Sequence, residues 1–287
     1  MNHRTEGLIG AVGLNEFNEE IKRISRYFLV VSEKFQGKKL GKLLRNVSSD
    51  YTEEIIKDKG YTHTYIESTN KRSYNLQIAS NLKIVGTLNI ITMLFLKKKY
   101  NFNLKGEFSL IGIEEWKDFH KNLKEYYKEY KMLDDEISMK PDSYYVQRDE
   151  NGEIILGAYT SKSEMELVNI PGFLGKFVNF MSFLPFVEKL IKNFQSVVIS
   201  GIYCKEGNEK ELSTFLGKIY ETLGFGSNML IFLDEKSPLV KYVEIKGAVF
   251  TEKSEKIFCF MKSKNLTKEE ELKIEKKLIF PSPLEVQ

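Results

Sequence analysis

The sequence predicts an α/β protein, a mixed sheet flanked by helices, on three observations. Strand-like runs alternate with runs whose apolar residues recur every three or four positions. The first helix-period run follows a β-branched, aromatic run across a turn punctuated by glycine. The strand, helix, strand pattern of the first hundred residues then restarts after a polar break at 100–105. With 287 residues the chain can hold two domains of ordinary size. The expected division is 1–104 and 105–287, each part a central mixed sheet with helices packed on it.

In the first part, "GLIGAVGLNEF" and "IKRISRYFLVV" predict a hairpin around the polar turn "NEFNEE". Leu40, Leu43, Leu44, Val47, Tyr51 and Ile55 then mark one face of a helix of about 20 residues ending near Gly60. "YTHTYIEST" alternates as a strand. Thr69 or Asn70 would cap a short helix, "KRSYNLQIASN", with Tyr74, Leu76 and Ala79 on its apolar face. "KIVGTLNIITMLFLKKK" completes the order β, β, α, β, α, β as one long or two short strands.

In the second part, "GEFSLI" is strand-like, "EEWKDFHKNLKEYYKEYKML" is helical, and Asn151-Gly152 marks a hairpin in "SYYVQRDENGEIILGAYT". A helical stretch, "GFLGKFVNFMSFLPFVEKLIKNF", leads to the strand "QSVVISGIYCK". The helix "EKELSTFLGKIYETLG", the strand "NMLIFLD", the helix "SPLVKYVEIKG" and the strand "KIFCFMKS" follow. The pattern predicts two copies of one topology.

Composition narrows the function. The longest apolar run, Leu88 to Leu96, is less than half of what spans a bilayer, and the N-terminus lacks a signal-peptide core, so a cytoplasmic protein is expected. Two cysteines, Cys204 and Cys259, make neither a disulfide framework nor a metal-ligand spacing. His3, His63 and His120 are scattered, and no metal site is expected.

The net charge of +3 is unevenly spread: residues 1–104 carry 17 Lys and Arg against 10 Asp and Glu, and the remainder 26 against 30. The basic excess gathers in "VSEKFQGKKLGKLL", residues 31–44, between a strand end and a helix start. Unpaired amides and the positive end of the helix dipole converge in such a turn, and Lys38, Lys39 and Lys42 add charge. An anionic, phosphate-bearing ligand is one reading; a tight turn beneath a solvated lysine face is the other. Neither G-x-x-x-x-G-K-[ST] nor G-x-G-x-x-G is present.

The stretch resembles motif A of the GNAT superfamily of acetyltransferases, Q/R-x-x-G-x-G/A between a strand and a long helix. Gln36, Gly37, Lys38, Lys39, Leu40 and Gly41 occupy its six places, with Lys39 where the first motif glycine stands. Downstream, Asn70 and Ser73 match the family's Asn and small residue; Gln77 stands at its Tyr place, and Asn81 and Leu82 at its Gly-Phe places. The resemblance covers roughly Gly7 to Lys99 and lacks the family's first strand and first two helices. The second part resembles a degenerate repeat, whose turn "CKEGNEKELSTFLG" brings Glu206 and Glu209 in place of the motif.

The resemblance implies two GNAT-like domains and acetyl-CoA, or another acyl-CoA, as acyl donor. Pantetheine would lie along Leu29, Val30 and Val31, with the diphosphate on amides from Gly37 to Lys42 and Asn70 and Ser73 alongside. The implied reaction is attack of an amine on the thioester. Glu67 is the carboxylate placed for the base, with Glu16, Glu19 and Glu20 behind it, and Tyr74 substitutes for the missing Tyr as thiolate acid. Core packing for Tyr74, a structural role for His63 and an inert, packed Cys204 are the alternatives weighed for those residues. No nucleic acid and no membrane is expected as partner, a homodimer is allowed, and the acceptor amine is unidentified. A non-catalytic acyl-CoA sensor or scaffold is the competing function.

Overall fold

A computed structural model describes residues 2–3, 7–17, 21–95, 101–131, 139–165, 194–223, 228–248 and 250–280. A small ladder pairs β1 (Asn2–His3) with β2 (Gly7–Leu8). The first hairpin is β3 (Gly10–Phe17) against β4 (Lys22–Val31). A 3₁₀ turn at Glu33–Phe35 precedes α1 (Leu40–Ile55), and β5 (Gly60–Glu67), α2 (Lys71–Ile78) and β6 (Lys83–Leu94) follow. The order expected for this part is present, with α1 shorter than expected and β6 a single long strand.

Beyond residue 104 come β7 (Phe108–Leu110), α3 (Ile113–Tyr127), β8 (Tyr130–Lys131), β9 (Tyr144–Arg148) and β10 (Ile154–Met165). β9 and β10 form the expected hairpin, with Gly152 at φ 82° in its turn. Then follow β11 (Phe194–Cys204), α4 (Leu212–Leu223), β12 (Asn228–Asp234), β13 (Phe250–Lys264), α5 (Lys268–Lys276) and β14 (Leu278–Ile279). The helix expected at 172–194 lies, up to residue 193, outside the described residues. The segment expected to form the helix "SPLVKYVEIKG" makes only a 3₁₀ turn, Pro238–Lys241, capped by Ser237.

One ten-stranded sheet runs β3-β4-β5-β13-β6-β12-β11-β10-β9-β7. Its centre is a crossed pair: β13 inserts between β5 and β6, and β6 lies between β13 and β12. Outward from that pair the connections match on both sides. An antiparallel step leads to β5 or β12, a parallel step to β4 or β11, and an antiparallel step to β3 or β10. The topology repeats, and each copy receives its inner strand from the other.

Burial explains why the helices sit where they do. α4 buries Leu212, Phe215, Leu216, Ile219 and Tyr220 in a cluster with Ile91, Val197, Ile199 and Ile231 of the sheet. α3 covers β9 through Phe119, Leu123 and Tyr127, with Phe280 completing the cluster. At Gly10, a Cβ would lie 2.8 Å from Leu44 Cδ1 and 2.9 Å from the Val30 carbonyl, so only glycine lets α1 approach β3 this closely.

The buried stripe of α1 departs from the expected one. Leu43, Val47 and Tyr51 are 43%, 52% and 53% exposed, whereas Leu44, Ser48 and Thr52 are buried. The buried hydroxyls are satisfied within the helix, Ser48 donating to the Arg45 carbonyl at 2.8 Å and Thr52 to the Ser49 carbonyl at 2.9 Å, and Thr52 shares a cavity with Arg26 of β4 and Thr62 of β5. On α2 the buried residue is Gln77, and Ala79 is exposed.

Candidate functional site

β4 and β5 pair in parallel from Lys22↔Gly60 to Arg26↔Thr64 and no further. The parting coincides with a bulge: Leu14 pairs with Arg26 and Gly13 with Phe28, leaving Tyr27 as the extra residue. Beyond it β4 continues to Val31 on β3 alone, so among the described residues its other edge has no strand partner. Val30 there is 57% exposed.

The chain then makes the glycine-lysine turn. Gly37 has φ 79°, and Lys39, the residue before α1, has φ 63° and ψ 8°. This is the left-handed region that disfavours a side chain and suits glycine. Asn81, at the glycine of the family's downstream Gly-Phe places, has φ 58°. Both departures from the motif therefore keep the glycine backbone shape.

The N-terminus of α1 is left open. Lys39 makes no side-chain cap, and the first turn holds no acid. The Lys38 amide donates to the Phe35 carbonyl at 3.4 Å and the first backbone bond into the helix is Leu43 N–H to the Lys39 carbonyl at 3.1 Å, which leaves the amides of Lys39 to Lys42 as donors. α5 presents the opposite: Thr267 and Glu270 form a full capping box, and Glu269, Glu270 and Glu271 occupy its first turn. A helix start with lysines where acids stabilise is built for an external anion.

A cleft of about 390 Å³ forms between this turn, the free end of β4 and the start of α2. Leu29, Val31, Gln36, Gly37, Lys39, Gly41, Lys42, Asn70 and Ser73 line it, nine of the eleven residues expected to bind the cofactor. Val30 and Lys38 do not line it; the Lys38 ammonium sits 4.8 Å from the Phe35 ring centroid. Gln36 Nε2 donates to the Val31 carbonyl at 3.3 Å. Asn70 caps α2 by accepting from the Ser73 amide at 3.0 Å.

Leu40, one of the six motif places, also lines the cleft, and sequence reasoning missed Phe35, Arg72 and Leu76, which do so too. Arg72 carried a readable signal, a cation in the first turn of a capped helix beside a basic turn.

Glu67 ends β5, exposed, and its carbonyl accepts from the Asn70 amide at 3.0 Å. Tyr74 lies outside the cleft lining; its ring meets Phe258 and Phe260 edge-on at 5.5 and 5.4 Å. Glu16 pairs with Lys22, and Glu19 and Glu20 lie outside the described residues. His63 is fully buried between Tyr61 and Tyr65 along β5.

The second copy has the same parting and bulge. β11 leaves β12 after Ile199↔Ile231, with an extra residue at Gly201–Ile202. Here, however, the freed strand is occupied: Tyr144 Oη donates to the Gly201 carbonyl at 2.9 Å and Tyr127 Oη to the Ile202 carbonyl. Its turn is occupied too, because the Glu209 carboxylate accepts from the Gly207 amide at 3.1 Å; its own amide first, and then that of Gly207, hold its pKa below the usual carboxylate value. Burial, with the Glu209 charge, pushes the Cys204 thiol up to about 12, which makes it a poor nucleophile. Cys259 is buried. Among the described residues no cluster of His, Cys, Asp and Glu could hold a metal, and no helix is long and apolar enough to cross a membrane.

No protein-family model matches the sequence, and no curated protein matches it. Solved structures do. A GCN5-related N-acetyltransferase from Sphaerobacter thermophilus aligns over 90% of this chain and 78% of its own, with a TM-score of 0.58 at 9% identity. The chain has the GNAT fold. Saccharomyces cerevisiae N-myristoyltransferase with bound myristoyl-CoA aligns over 96% of this chain and 70% of its own, at TM-score 0.53 and 9% identity. The parting of β4 from β5 and the strand-turn-helix of the motif resemblance are thus set within a GNAT fold covering most of the chain.

Proposed function

We propose that this protein is an acyl-CoA-dependent N-acyltransferase that uses the cleft of its first half. The observation that carries this reading is the coincidence, in one cleft, of an uncapped, lysine-flanked helix start with the unpaired edge of β4. Diphosphate oxygens would take the amides of Gly37 to Lys42, and the pantetheine amides would add to the free edge at Leu29 to Val31 as a strand does. Lys39, Lys42 and Arg72 supply the countercharge.

In the reaction, an acceptor amine attacks the thioester carbonyl, the new C–N bond forms, and the C–S bond breaks to release CoA thiolate. Glu67, beside the cap that opens α2, is the proposed acceptor of the amine proton. The donor is acetyl-CoA or a longer acyl-CoA. We further propose that the halves divide near residue 104 and that the second, its own cradle filled by Tyr127, Tyr144 and Glu209, is structural. One donor would then bind per chain.

A second reading, a non-catalytic acyl-CoA sensor, is favoured by buried Gln77 standing where the motif carries Tyr. Titration calorimetry with acetyl-CoA, myristoyl-CoA and CoA, followed by thiol release with a panel of amines, tests both. Binding at one site with turnover supports the transferase; binding without turnover for any amine supports the sensor. No binding of any of the three overturns both.

A further inference from the structure

At the far end of α1 from the cleft lies a separate cavity of about 150 Å³, walled by α1, β4, β5 and β13. Its lining brings together three cations, Arg26, Lys262 and Lys264, the hydroxyl residues Ser49, Thr52, Thr62 and Ser263, one carboxylate, Glu53, and the aliphatic Ile56. That carboxylate is engaged, since Lys262 Nζ donates to it and Lys264 Nζ to the Glu53 carbonyl, each at 2.7 Å. Three cations therefore face one acid.

Arg26 is the residue that demands explanation. It is 6% exposed, gives one hydrogen bond, from a terminal nitrogen to Ser49 Oγ at 3.1 Å, and its Nε finds no acceptor among the described residues. No carboxylate pairs with it there, and the charge that acts on it is a like one, Arg45. Burial, with that neighbour, pulls its pKa down to about 10, so it stays charged at neutral pH. A buried guanidinium without a counter-ion is costly, and a guanidinium fork matches the oxygens of phosphate.

We propose that this cavity binds a small oxyanion of the phosphate class, free or carried as a phosphate monoester, held by Arg26, Lys262, Lys264 and Ser49. The volume is several times what one water needs and accommodates a tetrahedral anion. Because β13 crosses from beyond residue 250, the ligand would join α1 of the first half to a strand of the second.

Amide-resolved NMR of the full chain, titrated with inorganic phosphate and with a phosphate monoester against sodium chloride of matched ionic strength, tests this without reference to acyl transfer. The expected result is saturable shifts at Ser49–Glu53 and Lys262–Lys264, unchanged in Gly41→Val and weakened about tenfold or more in the Lys262→Gln, Lys264→Gln double variant. Saturation by phosphate alone identifies the free ion, and saturation by both identifies the phosphate group. Shifts confined to residues 36–42, shifts equal to those with chloride, or shifts that survive the double variant would overturn the proposal.

Discussion

Arg45 of α1 donates from Nη1 to the Leu76 carbonyl of α2 at 3.2 Å and to Ser80 Oγ, so the two helices that wall the cleft are tied to each other directly. The bond is charge-assisted and partly buried, and one of its partners, Leu76, lines the cleft. Arg45→Met should therefore cost about 1–2 kcal/mol of stability and loosen acyl-CoA binding several-fold. Denaturant unfolding and calorimetry on the one variant measure both. A stability loss with unchanged affinity would show that the tie holds the fold and not the cleft.

Lys39 pays for its left-handed backbone at φ 63°. Lys39→Gly removes a penalty of roughly 1 kcal/mol, partly offset by the greater freedom of glycine in the unfolded chain. The variant should be as stable as the parent or slightly more so, and should keep its CoA affinity, because the amide is freed while one cation is lost. Lys39→Val, a β-branched residue at the same φ, should fall in stability by more than 1 kcal/mol, roughly. Thermal unfolding of the pair decides it.

The cleft was legible in the sequence because its signals are local: glycine and lysine spacing, a strand before, a helix after, and Asn70 as a cap. The sheet's centre was not. β13 pairs Ile257–Lys264 with Glu67–Gly60, nearly two hundred residues away, and its alternation fits any neighbouring strand equally well. The buried face of α1 misled for a different reason. Periodicity assumes that only apolar residues turn inward, whereas Ser48 and Thr52 are buried with their hydroxyls satisfied by helix carbonyls, and Thr52 faces a cavity containing Arg26. Ser237-Pro238 reads as a helix start and is one, but the turn ends after four residues.

Gly41 sits in the first turn of α1, where a Cβ would meet Leu29 Cδ2 at 3.7 Å and Val31 Cγ2 at 3.9 Å, ordinary contact distances. Gly41→Ala should fold normally, whereas Gly41→Val places two methyls in the space between the helix amides and the free edge of β4. CoA affinity should fall at least tenfold for Val and much less for Ala. Equal, unchanged affinities would place the diphosphate elsewhere.

Glu67 and Tyr74 separate by their effect on rate. Glu67→Gln should lower kcat about a hundredfold or more with little change in KM for the acyl donor. Tyr74→Phe keeps the edge-on packing on Phe258 and Phe260 and should hold both stability and kcat within about threefold. A loss of kcat comparable to that of Glu67→Gln, at an unchanged unfolding midpoint, would make Tyr74 the thiolate acid.

The last prediction concerns pH and the far side of the sheet. Glu270 accepts from Lys59 Nζ and from the backbone and hydroxyl of Thr267, and these bonds, the lysine first, lower its pKa from 4.5 to about 2. Its folded-state pKa lies below the unfolded one, so the stabilisation is complete above about pH 4.5 and disappears as pH falls through about 2. Glu270→Gln keeps the shape of the capping box but removes the charge. It should lower the unfolding midpoint at pH 7 and flatten its decline between pH 4.5 and 2, leaving the two proteins closest at the acid end. A constant difference between them across that range would mean that the carboxylate contributes through its hydrogen-bond geometry and not through its ionisation. Because Lys59 lies just before β5 and Glu270 on the helix after β13, the comparison also reports whether the exchanged strand stays clamped to its acceptor as acid unfolding begins.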